Sequence, residues 1–477
     1  MNQLARTVLS FLLILFVPLG SPKLRAQATK EAEPRRPNFV LVFTDDQRWD
    51  ALGVVQREQG ERARFPWFRT PNMDRIAAEG VRFRNAFVVN SLCAPSRACI
   101  LSGRYSHHNG VVNNHTPFPN ESVTFASLLG AQGYKTGYIG KWHMGQQKGK
   151  RPGFDESISF IGQGKYFDCP FEINGKLTPT QGFVDDRSTD YAVEFLKKHR
   201  SEPFALIVGF KTTHGPFTPP ERAAERFEGE TVRPARNQDC PPPYRAQMAK
   251  AVTAKKKKKA ATPPTGRNLG YFRCVSSADE NLGRLMSTLD ELGLTEDTVL
   301  VFASDNGYYL GEHGLGDKRS AYEESLRIPL LLRYPRLVKK ARTVDAMVLN
   351  IDIASTFLDL AGGSIPSAMQ GRSWRPLLEG KTEGWRTAWF YEYFQERAFP
   401  GTPTIFAVRT EGAKLITYPG HPDWVEVFDL SADPDERKNL ADEPGSQALR
   451  KGLEAEMERL KEEVGYRYPS NADFPEP

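Results

Sequence analysis

The chain has little that would tie it to a membrane or to nucleic acid. Past residue 19 no apolar run approaches the roughly 20 residues that a spanning helix needs. The net charge is only +6 over 477 residues, which gives no sign of a phosphate-tracking surface but is compatible with an anionic substrate. Nucleic acid is therefore not expected as a partner, and neither is stable membrane insertion. Cysteine is scarce, and the five present (Cys93, Cys99, Cys169, Cys240 and Cys274) are odd in number, which excludes a disulfide framework using all of them. Cys169 and Cys240 lie beside prolines and are candidates for a pair, although spacing alone sets no connectivity. There is no internal repeat. What remains is an ordinary globular composition, 39% hydrophobic and 26% charged, long enough for a large domain and a smaller one.

The one sustained apolar run lies at the start. Arg6 precedes residues 8–19, broken by Ser10 and Pro18, and Ala26-Gln27-Ala28 follows as a small-x-small site. Residues 1–28 read as a secretory signal peptide, so the protein is expected to be exported, periplasmic or secreted. No cysteine near that site suggests a lipid anchor.

Asn38-Phe39-Val40-Leu41-Val42-Phe43 is continuously apolar, as in a strand buried on both faces of a parallel sheet, and it runs into Thr44-Asp45-Asp46. Residues 135–139, 204–210 and 298–303 read in the same way. They lead into Gly140-Lys141-Trp142-His143, Lys211-Thr212-Thr213-His214 and Ser304-Asp305-Asn306-Gly307. Helical patterns over 123–132, 188–199 (with Ser188 as cap) and 279–292 separate them. This alternation predicts an α/β fold with a large, mostly parallel sheet covered by helices on both sides. Residues 237–267 carry three consecutive prolines and the run Lys255 to Lys259, and read as a surface insertion. After Gly363 short strands are expected over 387–392, 405–410, 414–418 and 425–430, then a charged helix over 446–464. The expected boundaries are a catalytic domain over 29–363 and a C-terminal α+β subdomain over 364–477, a small antiparallel sheet with a helix on it.

Ser91-Leu92-Cys93-Ala94-Pro95-Ser96-Arg97 reads as the start of a helix, with Cys93 just before it, Pro95 at its first position and Gly103 as the stop. Cys93 then lies at the positive end of a helix dipole, with Arg97 about one turn on. Taken alone, it is an ordinary buried cysteine. The strand ends change that reading, because open α/β sheets bind ligands at the carboxyl ends of their strands. Asp45, Asp46, Asp305 and Asn306 are hard oxygen ligands suited to Ca²⁺, or less well Mg²⁺, rather than zinc. Arg97, Lys141 and Lys318 are cations for an oxyanion, and His143 and His214 can move protons near neutral pH. Together they describe hydrolysis of a phosphate or sulfate ester. A thiolate suits a hard dication poorly, so Cys93 makes chemical sense here only once converted to an oxygen species.

Cys93-Ala94-Pro95-Ser96-Arg97 resembles the C-x-P-S-R signature of type I sulfatases, in the alkaline-phosphatase-like superfamily, whose cysteine is oxidised to formylglycine (3-oxoalanine). The resemblance covers nearly all of the expected mature chain, including the Asp45-Asp46 pair, Gly140 to His143, Thr213-His214-Gly215-Pro216, Ser304 to Gly307 and Gly316-Asp317-Lys318. It implies an alkaline-phosphatase-like fold, and a hydrated formylglycine at Cys93 that binds Ca²⁺ beside Asp45, Asp46, Asp305 and Asn306 and attacks sulfur. Arg97 would orient the diol, and Lys141 and Lys318 would neutralise the sulfate oxygens. His214, with Lys318 near the bridging oxygen, would protonate the departing alcohol. His143 would deprotonate the second hydroxyl to expel sulfate. A formylglycine-generating enzyme is implied as maturation partner, and a sulfated carbohydrate or other sulfate ester as substrate. Residues 103–114 resemble N-acetylglucosamine-6-sulfatases, while Gly140 to His143 looks more like bacterial carbohydrate sulfatases. His108, Asn113 and Asn114 are the candidate sugar contacts. Two other readings stay open: a formylglycine-dependent phosphonate monoester or phosphodiester hydrolase, and an inactive sulfated-glycan-binding protein if Cys93 is left unmodified.

Overall fold

An apolar residue at every position of a strand needs cover on both sides, and β1 (Asn38–Thr44) has it, being buried along its whole length. The computed structural model describes residues 36–245 and 264–477. Phe39, Leu41 and Phe43 enter one apolar cluster, and Val40 and Val42 enter another on the opposite face. In chain order there follow β2 (Val81–Phe83), β3 (Ala86–Phe87), β4 (Lys135–Lys141), β5 (Glu156–Phe160), β6 (Phe171–Ile173) and β7 (Lys176–Thr178). After them come β8 (Phe204–Gly209), β9 (Thr298–Ser304), β10 (Leu330–Arg333), β11 (Arg342–Val344) and β12 (Val348–Leu349). Ten of these form one sheet in the order β11-β2-β10-β9-β1-β8-β4-β5-β6-β7, while β3 and β12 pair separately. The centre, from β9 to β5, is parallel. β10 runs antiparallel to both of its neighbours, as does β6, which pairs with β5 and with the edge strand β7. This is the large mixed, mostly parallel sheet with helices that the alternating pattern predicts.

Register does the work of assembling the strand ends. Thr44 stands opposite Ser304, Phe43 opposite Gly209, and Gly140 opposite Gly209, so the loops after β9, β1, β8 and β4 leave the sheet at one level. Glycine is required at this crossing. Gly140 has φ +95, and a side chain there would enter the Gly209 carbonyl; one on Gly209 would come within 3.3 Å of the Arg97 guanidinium.

Two helices differ from expectation. The one expected over 188–199 runs Val184–Lys198, with Asp185 and Asp186 in its first turn, where carboxylates complement the dipole. Ser188 is not its cap; its hydroxyl donates back to the Val184 carbonyl at 3.0 Å. The helix expected over 279–292 runs Pro264–Glu291. Its earlier turns bury Tyr271, Phe272, Val275 and Ala278 in the same core cluster as Leu282, so the apolar stripe extends further back than the expected start at 279.

The small sheet contains β13 (Ala388–Tyr393), β14 (Ile405–Thr410), β15 (Ala413–Thr417) and β16 (Glu426–Asp429), antiparallel and in sequence order. Helix Gln447–Glu463 lies on it through Leu453, Met457 and Leu460, one face at helical spacing. Of the stretch expected as a surface insertion, Asn237 and Tyr244 are buried, so its first part is anchored. Residues 246–263, with the lysine run, and the expected signal peptide lie outside the described residues. Among the described residues no helix is long and apolar enough to cross a membrane. Cys169 and Cys240 are both free thiols, not a pair.

Candidate active site

The helix that carries Cys93 starts two residues earlier than its proline suggests. It spans Cys93–Ser102, with Leu92 as N-cap and Cys93 as the first helical residue, so Pro95 is the third. Gly103 closes it in the left-handed conformation, its N–H bonded to the Cys99 carbonyl at 2.9 Å. All ten helical residues are buried. One first-turn N–H, that of Ala94, would lack a partner, and Asn114 Oδ1 accepts from it at 3.0 Å.

Around Cys93 the strand ends converge. Its Sγ lies 3.4 Å from Asp45 Oδ1. The Asp46 N–H donates to Asp305 Oδ1 at 3.1 Å, across the join between β1 and β9. Carboxylate oxygens of Asp45, Asp46 and Asp305 lie within 4.8 Å of one another, all buried. Cations answer them. Arg97 donates through Nε to Asp305 at 2.8 Å and through Nη2 to Asp45 at 3.4 Å, and its guanidinium stands 4.9 Å over the Phe43 ring. Lys141 is paired with Asp45, and Lys318 Nζ is 2.6 and 2.8 Å from the two oxygens of Asp46.

Asn306 tests whether this cluster fits a metal. Its Nδ2 donates to Asp46 Oδ1 at 2.7 Å and to the Gly307 carbonyl at 2.8 Å. Its Oδ1 is buried without any hydrogen-bond partner. An acceptor deprived of donors, next to three carboxylates, is a poor arrangement for a bare protein and a good one for an oxygen-ligated dication. The donor set of Asp45, Asp46, Asp305 and Asn306 fits Ca²⁺.

Burial sets the protonation states. The Cys93 thiol is pushed up to about 12 by burial, with Asp305 and Asp46 adding to it against Lys318 and Arg97. The helix dipole thus does not produce a thiolate here, and as a bare thiol Cys93 is no nucleophile near neutral pH. Burial, reinforced by Lys141, Arg97, Lys318 and Lys211, holds His143 far below the usual imidazole range. His214 is lowered by burial and by the three lysines. Burial lowers Lys318, but Asp46, Cys93 and Asp317 together outweigh it and raise the ammonium above an ordinary lysine. His143 Nδ1 is buried without a partner, and His214 Nδ1 lies 2.7 Å from the Gly215 carbonyl, which assigns the proton to Nδ1 and leaves Nε2 open.

A family model for sulfatases matches residues 37–364. The chain belongs to the sulfatase family. A second model, described as the C-terminal part of N-sulphoglucosamine sulphohydrolase, matches residues 311–463 of this sulfatase. An N-acetylglucosamine-6-O-sulfatase of Bacteroides thetaiotaomicron is 33% identical, over 96% of this chain and 91% of its own. An ulvan-active sulfatase of Formosa agariphila is 28% identical, over 96% and 88%. The solved structure of BT4656 in complex with its substrate D-glucosamine-2-N,6-O-disulfate superposes with a TM-score of 0.81 at 31% identity, covering 92% of this chain and all of that one. The sulfatase is accordingly a sulfuric ester hydrolase with the fold of its structural neighbours.

Of the residues expected at the site, Asp45, Asp46, Cys93, Arg97, Lys141, Asp305, Asn306 and Lys318 are joined by direct contacts, and a His214 ring nitrogen lies within 4.8 Å of an Asp45 carboxylate oxygen and of Cys93 Sγ. The three expected sugar contacts of the sulfatase each have scaffold partners. His108 Nε2 is 2.8 Å from the Val464 carbonyl. Asn113 Oδ1 accepts from His115 and Thr116 within its own loop, while its Nδ2 reaches Asp473 at 3.1 Å. Asn114 holds Ala94. Sequence reasoning missed Asp185, whose buried carboxylate accepts from the Lys211 and Thr212 N–H groups at 2.8 and 3.0 Å and so fixes the end of β8. It also gave no role to Lys211, although that residue opens the run containing His214.

Proposed function

We propose that this sulfatase removes sulfate from a sulfated carbohydrate, an N-acetylglucosamine-6-sulfate-type sugar being the first candidate. The relatives' substrates support the sugar, and the unpartnered Asn306 Oδ1 among three carboxylates beside Cys93 supports the chemistry. Calcium held by Asp45, Asp46, Asp305 and Asn306, together with Cys93 oxidised to formylglycine, would supply an acidified oxygen nucleophile where the bare thiol supplies none. Arg97 keeps that position and the carboxylates in one arrangement through its bonds to Asp305, Asp45 and the Lys141 carbonyl. Lys141 and Lys318, both buried, bring two cations to the sulfate oxygens. His214 would act as the acid toward the departing sugar oxygen: its open Nε2 is bare in the resting site and takes up a proton once the anionic ester is bound, since that negative charge favours the imidazolium. His143, kept neutral by burial and by neighbouring cations, acts as base in the release of sulfate. Residues 1–28 would direct the protein to the periplasm or the exterior, and Cys93 would be modified by a formylglycine-generating enzyme.

The decisive experiment measures inorganic sulfate released from a panel of sulfated sugars, with Cys93→Ala as control and a phosphonate monoester and a phosphodiester as parallel substrates. Peptide mass spectrometry over Cys93 reports conversion. Sulfate release that depends on converted Cys93 supports the proposal; a fully converted protein that cleaves no sulfate ester overturns it.

A further inference from the structure

The loop after β5 places a neutral carboxamide among the cations of the site. Gln163 Oε1 accepts a hydrogen bond from Lys141 Nζ at 2.6 Å. The backbone carbonyl of the same residue accepts one from Lys211 Nζ at 2.9 Å. Lys211 is 3% exposed and lies 4.8 Å over the Tyr166 ring, and the Tyr166 hydroxyl donates to the His214 carbonyl at 2.5 Å. Residues 163–166 are thus fastened at both ends to the segments bearing Lys141 and His214.

This fastening determines which way the carboxamide faces. An ammonium has donors only, so the amide atom turned to Lys141 is the oxygen, and Nε2 occupies the other arm. Among the described residues Nε2 has no hydrogen-bond partner, and Gln163 as a whole is half-buried. Two N–H donors without a protein acceptor are therefore presented beside Lys141. A sulfate ester has three terminal oxygens sharing one negative charge. Lys141 and Lys318 are already paired with Asp45 and Asp46, and a neutral donor adds a contact to the anion without altering that charge balance.

We propose that Gln163 donates through Nε2 to a terminal oxygen of the sulfate ester, with Lys211 as the positioning residue that holds its backbone; this rests on the sulfatase reading of the site given above. Gln163 is then a third binding group for the anion, distinct from the two lysines in being uncharged.

Gln163→Leu and Gln163→Glu separate this role from simple support of Lys141. Both variants and the wild type are assayed with converted Cys93, for kcat/KM on a sulfated sugar and for inhibition by inorganic sulfate, with melting temperature as a check on folding. Gln163→Leu is expected to lower kcat/KM by about tenfold to a hundredfold, as for a lost bond to a charged group. Gln163→Glu retains an oxygen for Lys141 but sets a carboxylate against the sulfate, so it should fall at least as far, and inhibition by sulfate should weaken in both. Glutamate at wild-type activity while leucine is impaired would show that Gln163 only holds Lys141, and would overturn the proposal. So would wild-type values in both variants. A converted wild type that releases no sulfate defeats the parent reading as well, and the same assay reports it.

Discussion

Lys318 and Asp46 form a two-pronged pair, the ammonium lying 2.6 Å from one carboxylate oxygen and 2.8 Å from the other. The lysine thereby neutralises a carboxylate that also belongs to the oxygen cluster. Lys318→Met should lower kcat on a sulfate ester by about 10²–10³, the usual effect of removing one donor to the developing charge. Steady-state kinetics on converted protein measure this, and an unimpaired variant would remove Lys318 from the chemistry.

Calcium should stabilise the folded chain by mass action. At a free concentration 100 times its Kd the gain is about 2.7 kcal/mol, read as a rise in melting temperature over chelator-treated protein. Asn306→Ala removes the buried oxygen that has no protein donor and should shrink that rise. A calcium response equal to the wild type's would mean that Asn306 is no ligand.

Arg97 is 1% exposed and bridges Asp45 and Asp305. Truncation to Arg97→Ala leaves the buried Asp305 without its cation and Asp45 with Lys141 alone, at a cost of about 3–5 kcal/mol. Calcium supplies positive charge to the same oxygens, so the loss should be smaller in its presence. Urea unfolding of both proteins with and without calcium tests the difference; equal losses in the two conditions would refute the coupling.

Asn114→Ala frees the Ala94 N–H at the head of the Cys93 helix. Loss of an equivalent cap costs about 1 kcal/mol, and kcat should fall while KM for the sugar changes little. A change confined to KM would instead make Asn114 the sugar contact that its sequence context suggests.

Glu426 gives a pH signature away from the site. Its carboxyl is buried, receives the Tyr322 and Tyr418 hydroxyls at 2.8 and 2.5 Å, and is raised by burial to about 7 from an ordinary 4.5. The native state therefore holds this proton more tightly than the unfolded chain. Its stabilising contribution is complete below pH 4.5 and is lost as pH rises through 7. Glu426→Gln should flatten the decline of unfolding free energy across that interval relative to wild type; parallel curves would contradict the assignment.

Asp45, Asp46, Lys141, His143, His214, Asp305 and Asn306 were legible because they end or follow continuous apolar runs, and such runs mark the centre of a parallel sheet. Gly103 as helix stop was legible for a similar reason, since only a left-handed residue ends the turn there. Ser188 misled, because a serine at the front of an apolar pattern looks like a cap; the true start at Val184 is set by Asp185 reaching back to the Lys211 and Thr212 N–H groups. Contacts of that kind join residues distant in the chain and leave no periodicity. Gln163 was invisible for the same reason, lying in a loop and meaning nothing until Lys141 is placed against it. The antiparallel β10 could not be read from its composition, because a buried strand has the same pattern in either direction.

The alignment of Thr44 with Ser304 has a further consequence. Side chains along β1 alternate between two cores, so a slip of one residue would turn Phe39, Leu41 and Phe43 toward the space shaped for Val40 and Val42. The same slip would carry the Asp45-Asp46 pair one step away from Asp305 and Asn306. Misfolded registers are thus also chemically blank: a chain that closes its cores correctly has already brought its acidic residues together, and an insertion or deletion within β1 should abolish soluble protein and activity in a single step.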